Sequence, residues 1–138
     1  MKIKFLIAEE FRQETNNKIA ALGVFPGDVV VLLKQAQVAK AVAQGSAPIA
    51  LERLAFLVTV SELGGTHNFK GEILDPKGEK SKEGTRQLGE SITIQPGMTH
   101  SIVVESKPFV ITEPGMYKFV FYVDETPYEF PFEIRNQP

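Results

Sequence analysis

The chain has 138 residues, with 15 basic and 17 acidic side chains, two histidines, no cysteine and no tryptophan. That length fits one domain, residues 1–138, and 43% hydrophobic residues can fill one core. The near-balance of charge argues against a nucleic-acid surface or a polybasic membrane patch, and the lack of cysteine excludes disulfides, thiolate metal sites and thiol nucleophiles.

The first predicted element is a strand in "KIKFLIAEEF", with Ile3, Phe5, Ile7 and Phe11 at alternate positions. Glu9 falls on the same parity, which is read as a bulge or a strand end; a functional inward carboxylate is the other reading. The apolar run before Glu9 is too short for a signal peptide, and no run reaches transmembrane length. With the absent cysteines, this gives the expectation of a cytoplasmic protein that has no membrane partner. "ETNNK" is a turn, and "KIAALGVF" a second strand.

The segment from Pro26 to Ala50 departs from this rhythm. A short apolar run, Val29 to Leu33, precedes "KQAQVAKAVAQG", which is rich in helix formers and ends on Gly45. A short helical insert is predicted around 35–44, with Val38 and Val42 four apart and able to dock on the sandwich.

Strand patterning then resumes. "ERLAFLVTVSEL" places Leu54, Phe56, Val58 and Val60 on one face. "GGT" turns the chain into "HNFKGEIL", with Phe69 and Ile73 inward, and "DPKGEKSKEG" is a polar loop. "RQLGESITI" and "HSIVVESKPFVI" are further strands, the second interrupted at Pro108.

The final stretch is an antiparallel hairpin. Tyr117, Phe119, Phe121 and Val123 share one face, and after a turn at Asp124 to Thr126 the pattern resumes as Tyr128, Phe130, Phe132 and Ile134. Pro127 and Pro131 lie at one parity, so their missing donors fall along one side of the last strand. That side is predicted to be a free edge protected by the prolines. "EPGMY" matches the tyrosine corner of immunoglobulin-like sandwiches, with Phe119 where antibody domains carry a cysteine. Short strands and Gly/Pro/Asn turns together predict an all-β, immunoglobulin-like antiparallel β-sandwich of seven to nine strands.

"AEEFRQETNNKIAALGVFP", "GGTHNFKGEILDPKGE" and "PGMYKFVFYVDETPYEFPFEI" together resemble a family of small bacterial and phage proteins of unknown function. The resemblance covers most of the chain outside 26–52. It implies a β-sandwich, a bacterial or prophage source and a non-enzymatic role, and it supplies no activity, cofactor or catalytic residue.

The chain lacks a G-x-S-x-G elbow, a P-loop and an H-E-x-x-H helix, and no βαβ context makes its glycines a dinucleotide site. No cofactor is expected. Tyr122 is the one outward aromatic of its strand; a stacking platform for nucleic acid or sugar would need exposed aromatics. His67 and His100 each begin a strand, and alternating strand directions bring them to the same end as Asp124 and Glu125. Those side chains are the candidate metal ligands; against that reading, His67 shares the parity of Phe69 and suits the rim of the core. Three functions stay open. The leading one is a non-catalytic protein-interaction module, such as a host-factor binder or inhibitor, existing as a monomer or weak dimer. The second is a carbohydrate or small-ligand binding module. The third is a metal-dependent enzyme, which requires His67 and His100 to meet beside a pocket.

Overall fold

A computed structural model describes residues 1–25, 27, 29–32, 49–51, 53–81, 84–107, 109–111 and 113–136. The predicted helix around 35–44, with Val38 and Val42, lies outside the described residues.

Strands β1 (Lys2–Gln13), β2 (Ile19–Val24), β5 (Leu54–Ser61) and β8 (His100–Ser106) form one sheet in the order β2-β1-β5-β8. Strands β3 (Val29–Leu32), β6 (Gly65–Leu74), β7 (Arg86–Ile94), β10 (Gly115–Val123) and β11 (Thr126–Asn136) form the other, in the order β3-β11-β10-β6-β7. The short strands β4 (Ile49–Leu51) and β9 (Phe109–Ile111) pair separately as a two-stranded ribbon. The segment around Pro108 thus divides into β8 and β9, as a proline break in a strand requires.

The two larger sheets face each other, and the protein is an all-β sandwich. Strands β1, β5 and β8 hold the A, B and E places of the immunoglobulin arrangement. Strands β6, β10 and β11 hold the C, F and G places, with β7 beside C. One pair departs from the expected antiparallel pattern: β3 runs parallel to β11, from Val29 opposite Glu133 to Leu32 opposite Asn136. Among the described residues the outer edge of β11 is paired only from Glu133 onward; the stretch that carries Pro127 and Pro131 has no partner there, and the pairing beyond it was not expected from the sequence.

Alternation dictates the core. Phe56, Val58 and Val60 of β5 meet Phe69 of β6, Phe119 and Phe121 of β10, and Phe132 of β11. Stacked rings fix the contact between the sheets: Phe56 lies 5.1 Å from Phe119 by ring centroid, and Phe5 lies 4.9 Å from Phe130. The tyrosine corner is present. Tyr117 is buried, and its Oη donates to Glu113 O at 2.8 Å, closing the turn before β10.

β1 does not alternate as one unit. Ile3, Phe5 and Ile7 face the sandwich core, whereas Phe11 joins Ala8 and Ala55 in a second cluster with Ile19, Leu57 and Val103. Leu57 and Val103 lie between the core positions of β5 and β8, so this cluster covers the outer face of the sheet. The switch occurs at Glu9. Its side chain is exposed and lies across Gly23, whose φ of +65° bends β2 at the same level. Phe11 therefore does not continue the face of Ile3, Phe5 and Ile7, and Glu9 is not an inward carboxylate.

Candidate functional site

The chemistry-bearing residues come first. His67 opens out from β6 towards the β10–β11 turn, where Asp124 adopts φ +56°. Nδ1 of His67 stands 2.8 Å from Asp124 Oδ2, and Nε2 stands 2.8 Å from Gly64 O. A carbonyl and a carboxylate can only accept, so the two bonds are made together only when both ring nitrogens donate, in the imidazolium form. The bond to Asp124, then the one to Gly64, hold its pKa above the usual histidine value. Asp124 is held below the usual carboxylate value by His67 and then by the N–H of Asn68, 3.0 Å from Oδ1.

This geometry uses His67 as a clasp. Neither nitrogen keeps a lone pair for a metal in that state. His100 serves packing: its ring stacks on Phe69 with centroids 5.5 Å apart. Glu125 is exposed. Among the described residues no group of three His, Cys, Asp or Glu side chains is arranged to hold a metal ion.

A polar cluster that sequence reasoning missed lies on the outer face of the larger sheet. Glu72 of β6 is only 7% exposed. Tyr122 Oη donates to its Oε1 at 2.6 Å, Thr85 Oγ1 to its Oε2 at 3.0 Å, and Lys80 Nζ lies 3.2 Å from Oε2. Burial raises the Glu72 pKa, but the hydrogen bonds from Tyr122, Thr85 and Lys80 and the Lys80 charge together outweigh it and leave it lowered. The same bond to Glu72 pushes the Tyr122 phenol up to about 12. Thr85 and Lys80 from the loop before β7 and Tyr122 from β10 converge on this one carboxylate, so the cluster ties that loop to the outer face of the sheet. Tyr122, the outward aromatic of the sequence, is tied down by its hydroxyl rather than presented as a stacking platform.

The sheet edges give a different kind of site. Backbone donors and acceptors at an edge demand a partner or a block. At β8, Arg86 Nη1 from the other sheet donates to Glu105 O at 2.9 Å and satisfies that one carbonyl of the edge. At β11, the hairpin closes with Val123 opposite Thr126, so residues 127, 129 and 131 turn their backbone groups outward. Pro127 and Pro131 fall on that outward set and cannot donate, and β3 fills the edge from Glu133 onward.

Among the described residues, none blocks the first half of β1 in this way. It pairs with β5 from Lys2 to Ala8, while its pairing to β2 begins only at Ala8. Phe25 N–H donates to Ile7 O at 3.0 Å on the side away from β5. Ladder alternation then turns the N–H and C=O of Ile3 and Phe5 to that same side. No described residue pairs with them there. Beneath this edge the side chains of Ile3, Phe5, Tyr128 and Phe130 are half-buried against the core. They form an apolar seam between the open edge of β1 and the proline-blocked edge of β11.

A second open edge is β2. It carries no charged residue or proline, and Leu22 and Val24 are 44% and 45% exposed. Glu14 N–H donates to Lys18 O at 2.8 Å, and this phase turns the backbone groups of Ile19 and Ala21 outward.

The fold and these edges define an immunoglobulin-like sandwich with exposed pairing surfaces on one sheet. No protein-family model matches the chain, and no curated protein matches it in sequence. Among solved structures it is similar to a beta-glucosidase from Listeria innocua. The complex with glucose gives a TM-score of 0.45 at 12% identity, covering 97% of this chain and 16% of the enzyme. The complex with isofagomine gives 0.43 at 11% identity, covering 99% and 16%. The chain thus spans about 16% of the length of those enzymes, and a likeness at this level carries no argument about activity. No helix among the described residues is long and apolar enough to cross a membrane.

Proposed function

We propose that this chain is a non-catalytic module that binds another protein through the edges of its four-stranded sheet. The observation that supports the reading is the outer side of β1 at Ile3 and Phe5, which has no partner among the described residues and lies over a half-buried apolar seam. Adding a strand there satisfies the exposed backbone groups and covers apolar surface in one step. The proline-bearing stretch of β11 supports it by contrast, because that neighbouring edge carries a protection that no described residue gives the first half of β1. A bacterial or phage source belongs to the same proposal.

Comparative capture tests the reading. Wild-type protein and the double variant Ile3→Pro/Ala21→Pro are immobilised side by side and exposed to a bacterial lysate. Each substitution removes an outward N–H and leaves the inner ladder intact. The expected result is a protein retained by the wild type and lost by the variant, with matching circular dichroism of the two baits. Equal retention of every protein by both baits overturns the reading.

A further inference from the structure

We infer that the open edge of β1 takes an extended peptide strand whose residues alternate between apolar and acidic. The inference rests on the interaction reading above and specifies the partner's chemistry. An added strand pairs with the outward backbone groups of Ile3 and Phe5, so its residues opposite those two point into the seam. The seam is lined by Phe5, Phe130, Ile3 and Tyr128, all half-buried, which calls for apolar side chains at those positions.

The intervening residues of the added strand point to the outer face, where Lys2 and Lys4 stand. Lys4 has no ion-pair partner among the described residues, and Lys2 has only the solvent-exposed Glu62, 3.4 Å from its Nζ. Opposite charges across a strand pair attract, and like charges repel. Acidic residues therefore suit these positions. The neighbouring edge is unsuitable for the same peptide, since Pro127 and Pro131 withhold its donors and Glu129 stands beside it.

Isotope-labelled protein titrated with synthetic peptides provides the test. The probe is a capped peptide of about ten residues alternating valine and aspartate, matched by one alternating valine and lysine. Strict alternation makes every even shift of register equivalent. The valine–aspartate peptide is expected to move the amide signals of Ile3 and Phe5, and to bind about fivefold more tightly than the valine–lysine peptide. Lys4→Glu should reverse that preference. Ile3→Pro should weaken binding by about fivefold or more, while Ala21→Pro, on the other edge, should leave it unchanged.

Equal binding of both peptides, indifference to Ile3→Pro, or shifts confined to Ile19 and Ala21 would each overturn the inference. So would shifts at Ile3 and Phe5 that follow protein concentration alone and vanish in Ile3→Pro, since the occupant would then be a second copy. Failure of both peptides to bind sinks the acidic strand but not the interaction reading, which stands or falls on the comparative capture.

Discussion

His67 illustrates how a single side chain can be chemically suggestive and structurally committed. It carries two protons between Asp124 and Gly64, and the stability this adds has a defined pH window. The folded pKa of His67 is raised above 6.5, so its contribution is complete below that pH and fades as pH rises through the folded value. The folded pKa of Asp124 is lowered below 3.8, so its contribution is complete above that pH and fades as pH falls through the folded value. The stability difference between wild type and Asp124→Asn should therefore be greatest between 3.8 and 6.5 and shrink on either side. Urea denaturation across pH measures it; a difference that grows above neutrality would contradict the imidazolium. Asparagine tolerates the positive φ at this turn, which keeps the comparison clean. In the core, Phe119 is 1% exposed and contacts both Phe5 and Phe56. Phe119→Ala should cost about 3–5 kcal/mol in the same assay. Tyr117→Phe deletes the corner hydroxyl and leaves the Glu113 carbonyl without that donor, at a cost of about 1–3 kcal/mol.

At the scale of elements, the β1–β2 hairpin shows what period-2 reasoning can and cannot reach. The inward faces of β5, β10 and β11 were legible because large apolar residues recur at every second position: Phe56, Val58 and Val60 in β5, Tyr117, Phe119 and Phe121 in β10, and Phe130 and Phe132 in β11. Glu9 on the apolar parity signalled an irregularity in β1. It did not show that Phe11 passes to the other side of the sheet, because that depends on the bend at Gly23 across the ladder. Gly23→Ala should destabilise the hairpin by about 1–2 kcal/mol through its left-handed backbone. Its added Cβ would also stand 2.8 Å from Glu9 Cδ, so Glu9→Ala should rescue it only in part. Hydrogen exchange at β2 reports both effects, and full rescue would show that the contact, not the φ, was responsible. Two further features were hidden for physical reasons. The parallel pairing of β3 with β11 joins segments about a hundred residues apart, and no local pattern encodes it. Glu72 reads as a solvent-facing residue between Gly71 and Ile73, and only the fold brings Tyr122, Thr85 and Lys80 around it.

For the whole molecule, the two sheets are held by one aromatic core, and their edges are treated unequally. At β8 Arg86 bonds one carbonyl, β11 is blocked by prolines and β3, and the outer sides of β2 and of the first half of β1 have no partner among the described residues. The proline block was readable from parity alone, since Pro127 and Pro131 recur four apart in a strand. The open half of β1 was not, because it exists only where β2 stops short of Ile7. That half-edge is the centre of the functional account, and residue-resolved amide hydrogen exchange on the free protein tests it most directly. In β1 the amides of Lys4 and Leu6 turn to β5, and those of Ile3 and Phe5 turn outward. The account predicts slow exchange at Lys4 and Leu6 alternating with fast exchange at Ile3 and Phe5. Protection of Ile3 and Phe5 to the level of Leu6 would mean that the edge is already paired, and would contradict it.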